Sequence, residues 1–267
     1  MFGTAGGVCP APFVEVGFER ADVVESRLLQ QGWLCVVPER HLLRRGRCRM
    51  ALAETENPPA LLLEPTAPKV TLALYGRGGS VAVREYLRVV SEGVGFIVPP
   101  DLEPQVLAAS RAPSVLRMRV LSGTRVRPDV GGNPPGQRVL LRPEHADMLA
   151  RVPDEGLGFL ECYDTLEEFL GGPSRGAASV VDGEIVSICV IYAQIDFACE
   201  VGVYTRPEFR RQGHGTAAAA ACLREVMRRR WQPVWTAVDE VSRRLGVRLG
   251  LAPVGEKLYV VFRQPGR

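Results

Sequence analysis

The fold is decided by one stretch of the C-terminal half, which reads Val201-Gly-Val-Tyr-Thr-Arg-Pro-Glu-Phe-Arg210-Arg-Gln-Gly213-His-Gly215-Thr216. A β-rich run ends, a short polar loop follows, and two glycines flank one residue where a helix is predicted to begin. Glycine lets the backbone turn sharply and lets a ligand approach the main chain. The first turn of a helix has unpaired N–H groups and the positive end of the helix dipole, so it can hold a pyrophosphate. Arg210 and Arg211 add positive charge beside it.

The loop fits some phosphate-binding motifs only in part. A P-loop requires Gly-Lys-Ser/Thr, and no lysine stands in this stretch. A Rossmann fingerprint requires a third glycine where Ala218 stands. A tight strand-to-helix turn that binds no ligand therefore stays open as an alternative.

The order Arg210-x-x-Gly213-x-Gly215, after a strand and before a helix, resembles the acetyl-CoA motif of the GCN5-related N-acetyltransferases (GNAT), Gln/Arg-x-x-Gly-x-Gly/Ala. Downstream, Asp239-Glu-Val-Ser242 and Leu249-Gly-Leu251 are similar to the family's Asn-x-x-Ser and Leu-Gly-Phe stretches, and Lys257-Leu-Tyr259-Val matches its closing strand. The resemblance covers residues 138–267. It departs from the family at Asp239, which replaces asparagine, and at Leu251, which replaces phenylalanine.

The resemblance implies acetyl-CoA as the acyl donor, with its thioester between two strands that splay apart. The pantetheine arm would lie along Val203, Tyr204 and Thr205. The phosphates would be held by Arg210, Arg211, Gln212, Gly213, His214, Gly215 and Thr216. We expect His214 to face solvent or the cofactor and to contribute its backbone N–H more than its imidazole. Asp239 and Ser242 complete the implied cofactor site, although losing the asparagine amide removes one contact to the arm.

The catalytic candidates are an acid and a base for the transfer to an amine. Glu200 lies in the strand that leads into the loop, so it is our candidate for taking the ammonium proton. Strand alternation places it on the face opposite Val203 unless a β-bulge resets the register, so a structural carboxylate is the alternative. Tyr259 is the candidate general acid, with packing on the sheet as its alternative. For Ser242, capping of the following helix is favoured over a proton relay.

The predicted elements of the C-terminal part form a mixed sheet with helices. Strands are predicted at residues 176–181, 184–192, 199–205, 234–238 and 257–262, and helices at 216–230 and 240–249. Asp182-Gly183 between the first two strands is a strong hairpin signal. The fold class is therefore α/β, with a mixed, mostly antiparallel sheet, flanking helices and, by resemblance, a splayed central strand pair, preceded by a second α/β domain.

Prolines and glycines between residues 127 and 136 predict a linker. We divide the chain into an N-terminal domain (1–127), a linker (128–137) and a C-terminal GNAT domain (138–267). In the N-terminal domain, a strand at 70–75, a loop with Gly76 and Gly78, a helix at 80–90 and a strand at 95–98 repeat the C-terminal order. We interpret it as a degenerate GNAT-like domain, or else an unrelated α/β domain. Its loop lacks the Arg-x-x-Gly-x-Gly spacing, so no cofactor is assigned to it.

Composition excludes several classes. The 267 residues carry 33 basic and 30 acidic side chains, a net charge of +3 that does not indicate a nucleic-acid binder. Arg228-Arg229-Arg230 ends a predicted helix, where positive charge complements the dipole. Seven cysteines without CxxC spacing and three distant histidines predict thiols without disulfides and no metal site. No apolar run reaches membrane-spanning length and no signal peptide is evident, so we expect a cytoplasmic protein without a membrane partner.

The near-neutral net charge conceals an uneven distribution of charge along the C-terminal part. Residues 138–200 carry 4 basic and 12 acidic side chains, whereas residues 201–267 carry 13 and 5. The acidic part favours a cationic acceptor, with solvated surface charge as the alternative. We therefore predict an acetyl-CoA-dependent N-acetyltransferase that acts on a primary amine of a small molecule or peptide by direct attack in a ternary complex. The alternative is a regulatory acyl-CoA-binding module that has lost transfer. A monomer or a homodimer is expected.

Overall fold

The structure is a computed structural model. It describes residues 9, 11–66, 71–91, 93–109, 113–127, 130, 133–158, 162–163, 165–172 and 175–262. The chain divides into two compact units. The N-terminal unit is Met1–Arg119 with Gly255–Arg267, and the C-terminal unit is Val120–Val254.

The strands are β1 (Val14–Val16), β2 (Cys48–Ala53), β3 (Ala60–Pro65), β4 (Thr71–Tyr75), β5 (Gly95–Val98), β6 (Pro113–Ser122), β7 (Gln137–Leu140), β8 (Gly176–Val181), β9 (Glu184–Ile195), β10 (Ala198–Thr205), β11 (Gln232–Ala237) and β12 (Ala252–Phe262). The helices are α1 (Ala21–Leu29), α2 (Val37–Arg44), α3 (Val81–Val89), α4 (Glu103–Ala108), α5 (Ala146–Leu149), α6 (Leu166–Leu170), α7 (His214–Arg228) and α8 (Glu240–Arg248). No helix among the described residues has both the length and the apolar character needed to cross a membrane.

In the N-terminal unit the strands follow the order β1-β2-β3-β4-β5-β12. The pairs from β1 to β4 are antiparallel, and β4 and β5 are parallel because α3 forms the crossover between them. The parallel ladder ends at Ala73↔Ile97, so Leu74 and Tyr75 extend past it. The core includes Tyr86, Phe96 and the Phe262 that β12 contributes. The predicted order of strand, loop, helix and strand is present in this unit, and its interpretation as a GNAT-like repeat stays a prediction.

In the C-terminal unit the order is β7-β8-β9-β10-β11, with the end of β6 beside β11. Neighbours from β7 to β10 are antiparallel, whereas β10 and β11 are parallel and α7 crosses between them. The Ser122 hydroxyl donates to the Pro233 carbonyl oxygen at 2.7 Å, which ties the end of β6 to this unit.

The first half of α7 packs on the sheet through small side chains. Ala217, Ala218, Ala219 and Ala220 are all buried, in a core that also holds Cys189 and Trp235. Alanine favours the helix and lets its backbone approach the strands closely. This packing fixes the start of α7 at the end of β10, where the predicted loop lies.

The predicted mixed α/β fold is confirmed. The hairpin turn has positive φ at both positions, +49° at Asp182 and +78° at Gly183, and β8 covers the predicted residues. The closing strand differs from the prediction, because residues 255–262 of β12 belong to the N-terminal unit and residues 258–261 pair with β5. The division of the chain therefore differs from the predicted 1–127 and 138–267. Four of the predicted linker residues, at 128, 129, 131 and 132, lie outside the described residues.

Candidate functional site

The candidate site begins where β10 leaves β11. The two strands pair only at Ala198↔Gln232, Cys199↔Pro233 and Glu200↔Val234. Beyond Glu200, β10 stays paired with β9 on its other side as far as Thr205↔Ser187. The residues from Val201 to Thr205, of which all but the buried Val201 are half-buried, thus lack β11 on one edge, which leaves backbone hydrogen-bonding groups along a V-shaped opening. The predicted splayed strand pair is present.

A β-bulge lies at the apex of this opening. The β9 partner of Glu200 is Ala193, but that of Val201 is Ile191, so the register shifts between Glu200 and Val201. A bulge of this kind re-aims the side chains on its strand. The condition under which Glu200 can serve the site is therefore met.

The Glu200 carboxylate is buried, with 1% of the residue exposed. The Thr236 hydroxyl of β11 donates a hydrogen bond to Glu200 Oε1. Among the described residues Oε2 has no hydrogen-bond partner. A buried carboxylate with one oxygen held and the other without a donor is suited to accept a proton. The sequence reasoning missed Thr236, although a threonine within the apolar run of β11 was a signal.

The loop between β10 and α7 is built by a short 3₁₀ turn and two positive-φ residues. Pro207–Phe209 forms the turn. Arg210 Nε donates to the Thr205 carbonyl oxygen at 3.1 Å, which closes the loop back on the strand. Arg211 has φ +62° and Gly213 has φ +92°. The side chains of Arg210 and Arg211 in this loop are exposed.

The start of α7 presents backbone donors. The first backbone bond of the helix runs from Ala217 N–H to the Gly213 carbonyl oxygen at 2.9 Å, and Gly213 has no side chain that could cap the turn. The N–H groups of His214, Gly215 and Thr216 precede that bond and lie at the positive end of the dipole. A Cβ on Gly215 would lie only 2.8 Å from Thr205 Oγ1. The two glycines thus form a cradle that side chains would fill.

The placement of the His214 side chain differs from the prediction. Its imidazole does not face solvent, because it is 1% exposed and its Nδ1 lies 2.8 Å from Ser179 Oγ. Its ring also meets Phe209 edge-on, with centroids 5.8 Å apart. Burial lowers the pKa of His214 from its ordinary value of 6.5. The imidazole anchors the loop, and only its backbone N–H is presented at the helix start.

Asp239 and Ser242 have structural partners. The Asp239 carboxylate caps α8 by accepting from the Ser242 N–H at 2.7 Å. The Ser242 hydroxyl accepts from Trp235 Nε1 at 2.9 Å. The prediction that Ser242 caps the helix with its side chain is therefore wrong, since Asp239 does so. The aspartate fits this position because a carboxylate at a helix N-terminus is stabilised by the dipole.

Tyr259 packs against the neighbouring strand of its own unit. It lies on β12 in the N-terminal unit, opposite Ile97 of β5, and its ring covers Gly95. The glycine provides the space in which the phenol ring packs. These contacts fit the packing alternative, and the role of Tyr259 as general acid stays a prediction.

The matching loop of the N-terminal unit is occupied by its own side chains. At the start of α3, Val83 N–H donates to Ser80 Oγ at 3.1 Å and Ala82 N–H donates to Glu56 Oε1 at 2.9 Å. The Ser80 hydroxyl donates to Glu56 Oε2 at 2.7 Å. A carboxylate of the chain thus holds the position at which a helix start would bind an anion.

The described residues form no cluster of three or more His, Cys, Asp or Glu side chains that could hold a metal ion. The seven cysteines all lie among these residues, and none of them is in a disulfide.

Comparisons with known proteins agree with this geometry. Residues 146–260 match the family model for GNAT acetyltransferase. The fold is similar to that of a GCN5-related N-acetyltransferase-like protein from Streptococcus suis, with 17% identity and a TM-score of 0.70 over 92% of this chain and 100% of that one. A GCN5-related N-acetyltransferase from Sphaerobacter thermophilus is similar with 16% identity and a TM-score of 0.59 over 97% and 98%.

A third similar structure is that of a fungal multi-domain GH3 β-N-acetylglucosaminidase, described as having a GCN5-related glucosamine N-acetyltransferase region. It has 9% identity and a TM-score of 0.58 over 95% of this chain and 38% of that one. No curated protein sequence matches the chain significantly.

Proposed function

Because the C-terminal domain is a member of the GNAT family, we propose that this chain transfers an acetyl group from acetyl-CoA to a primary amine. The observation that carries the proposal is the opening of β10 from β11 after Glu200, directly before the glycine-framed start of α7. A free strand edge and a bare helix start in one unit suit a ligand that has both amide groups and phosphates.

The residues present fit CoA. The edge of Val203, Tyr204 and Thr205 would hold the pantetheine arm, and the backbone N–H groups from Gly213 to Thr216 would hold the phosphates. Arg210 and Arg211 add charge that is exposed to a ligand. When bound, acetyl-CoA supplies a thioester carbonyl carbon that an amine can attack.

Glu200 is the base in this proposal. A primary amine is protonated at neutral pH, so its nitrogen becomes a nucleophile only after it loses a proton. Glu200 Oε2 would take this proton, directly or through water. Backbone N–H groups along the free edge of β10 would stabilise negative charge that develops on the carbonyl oxygen. The proposal includes direct attack in a ternary complex, in which a base beside the strand opening serves the amine without a covalent intermediate.

The acceptor in this proposal is cationic. Residues 138–200 carry 12 acidic against 4 basic side chains, which favours an amino sugar, a polyamine or a peptide amine. The fungal protein of similar fold is described with a glucosamine N-acetyltransferase region, so glucosamine belongs in the acceptor panel.

A second candidate is an acyl-CoA-binding regulatory module without transfer. One observation favours it. Asp239, which replaces the family's asparagine, is engaged as a helix cap. Binding of CoA is common to both candidates, whereas release of the free thiol belongs only to the enzyme.

Two measurements test these candidates. Isothermal titration with acetyl-CoA and desulfo-CoA measures binding, and thiol release with glucosamine, putrescine and a lysine peptide measures transfer. We expect Gly213→Trp to abolish binding, because φ is +92° there and the side chain would fill the cradle. Gly183→Trp is the matched control, at a positive-φ turn in the same unit with open space around it. Unchanged affinity in Gly213→Trp would refute the site, and binding without thiol release on any amine would refute the enzyme.

A further inference from the structure

Thr236 stands across the strand opening from Glu200, and we propose that it is a positioning residue for the transfer reaction. Its hydroxyl holds one oxygen of the Glu200 carboxylate and thereby leaves the other oxygen to take the amine proton. The inference rests on the proposed function, in which Glu200 is the base.

The backbone places Thr236 on the diverging arm of the opening. The last pair of the parallel ladder is Glu200↔Val234, and Thr236 is two residues further along β11. Alternation puts Thr236 on the same face of the strand as Val234. Its half-buried side chain therefore reaches from one arm back to the carboxylate at the apex.

The hydrogen bond makes the two carboxylate oxygens of Glu200 different. A threonine hydroxyl has a single proton, and that of Thr236 is donated to Oε1. Oε2 is equally buried and accepts no hydrogen bond from the described residues. A buried polar oxygen without a hydrogen bond is costly, so the Thr236 bond also offsets part of the cost of burying Glu200.

The consequence concerns the proton and not the binding of CoA. An ammonium group loses two protons on its way to an amide: the first must leave before the nitrogen can attack, and one proton is needed by the departing CoA thiolate. The other leaves through the base. With Oε1 held by Thr236, the carboxylate cannot turn freely, and Oε2 stays in place for this proton.

The test compares Thr236→Val with Thr236→Ser. Valine keeps the shape and the β-propensity but removes the donor, whereas serine keeps the donor. We expect valine to lower kcat about tenfold, since general-base catalysis contributes more than that in total. The KM for acetyl-CoA should stay unchanged. Serine should retain most of the wild-type kcat, which loss of packing would not explain.

A double-mutant cycle with Glu200→Gln separates positioning from stability. If Thr236 acts through Glu200, adding Thr236→Val to Glu200→Gln should lower kcat no further. Additive losses would overturn the proposal, as would wild-type kcat in Thr236→Val when Glu200→Gln is inactive. Thermal melting of each variant shows whether it is folded.

A second measurement does not depend on turnover. The carbon-13 signal of the Glu200 carboxyl can be assigned by its loss in Glu200→Gln. This signal should move in Thr236→Val and stay in place in Thr236→Ser. An unmoved signal in Thr236→Val would overturn the Thr236 contact alone, whereas a wild-type chain that binds acetyl-CoA but acetylates no amine would overturn the transfer function and with it this role.

Discussion

His214 Nδ1 lies 2.8 Å from Ser179 Oγ, which joins the first residue of α7 to strand β8 beneath the candidate loop. The imidazole is buried, and its burial lowers the pKa of His214 below the ordinary value of 6.5. The unfolded chain therefore binds this proton more readily than the folded chain does. Stability from the neutral imidazole is complete above pH 6.5 and is lost as the pH falls from 6.5 towards the lower folded pKa.

We expect the free energy of unfolding, measured by urea denaturation, to decrease as the pH is lowered from 7.5 to 5.5. His214→Asn should be less stable than the wild type at pH 7.5 but should lose less stability over this pH range. Its affinity for acetyl-CoA should also fall, because the loop loses its anchor. An equal pH dependence in both proteins would show that His214 is not the group that titrates.

The end of α7 predicts an asymmetry between two neighbouring arginines. Arg228 and Arg229 both donate to Glu225 and together lower its pKa to about 2, with the Arg228 hydrogen bond as the largest cause. The side chain of Arg229 is 11% exposed and its guanidinium lies 5.0 Å from the ring centroid of Trp231, whereas the side chain of Arg228 is 72% exposed. The partly buried pair is screened less by solvent than the exposed one.

Arg229→Ala should therefore lower the free energy of unfolding by about 2 kcal/mol at pH 7, since it breaks a largely buried ion pair and a cation–π contact. Arg228→Ala, the matched control on the same carboxylate, should lose clearly less. Urea denaturation at low and high salt checks this order. A larger loss in Arg228→Ala would contradict the assignment of Arg229 as the structural partner.

The sequence predicted the parts of this fold that depend on neighbouring residues. The Asp182-Gly183 turn, the β8 strand and the glycine-framed start of α7 follow from local periodicity and backbone preference, and the structure has all three. The bulge at Glu200 could not be located from the sequence, because it depends on the pairing of β10 with β9.

Contacts distant in the chain were also beyond the sequence. The partner of the buried His214 is Ser179, 35 residues earlier in the chain, and the partner of Glu200 is Thr236, 36 residues later. The sequence of the strand that carries Tyr259 does not show which strand it pairs with, and the structure pairs it with β5. The loop could be predicted because it is a local structure, whereas the pairing of the strand that carries Tyr259 depends on residues distant in the chain.

The contacts of Glu56 lead us to expect that the chain binds one molecule of acetyl-CoA and not two. Its carboxylate accepts from Ala82 N–H and from the Ser80 hydroxyl at the start of α3, so this helix start holds an anion of its own. We expect a stoichiometry of one by isothermal titration. Glu56→Gln should lower the free energy of unfolding by about 1 kcal/mol, because it weakens a charged cap. Its affinity for acetyl-CoA should equal that of the wild type.

Glu54→Gln is the control for Glu56. Glu54 lies two residues away and its side chain is 57% exposed in an ion pair with Arg20, so the same change of charge should hardly affect stability. A stoichiometry of two, or a second binding event lost in Glu56→Gln, would show that the N-terminal unit binds the ligand as well.

Substitution of Gly215 tests how closely the start of α7 packs against the end of β10. A Cβ on Gly215 would lie 2.8 Å from Thr205 Oγ1, and that hydroxyl is already hydrogen-bonded at 2.8 Å to Ser187 Oγ. Gly215→Ala should therefore displace the end of β10 and lower the affinity for acetyl-CoA about tenfold, because close packing leaves little room for an added methyl group. Isothermal titration measures this loss.

The double variant Thr205→Ala with Gly215→Ala removes the atom with which the new methyl group collides. It should regain most of the affinity, although Thr205→Ala alone should bind no more tightly than the wild type. This recovery is the sign of coupling between two residues in contact. If the double variant binds as weakly as Gly215→Ala, the methyl group acts by another route, such as direct obstruction of the ligand, and the contact between α7 and the end of β10 is not what positions the site.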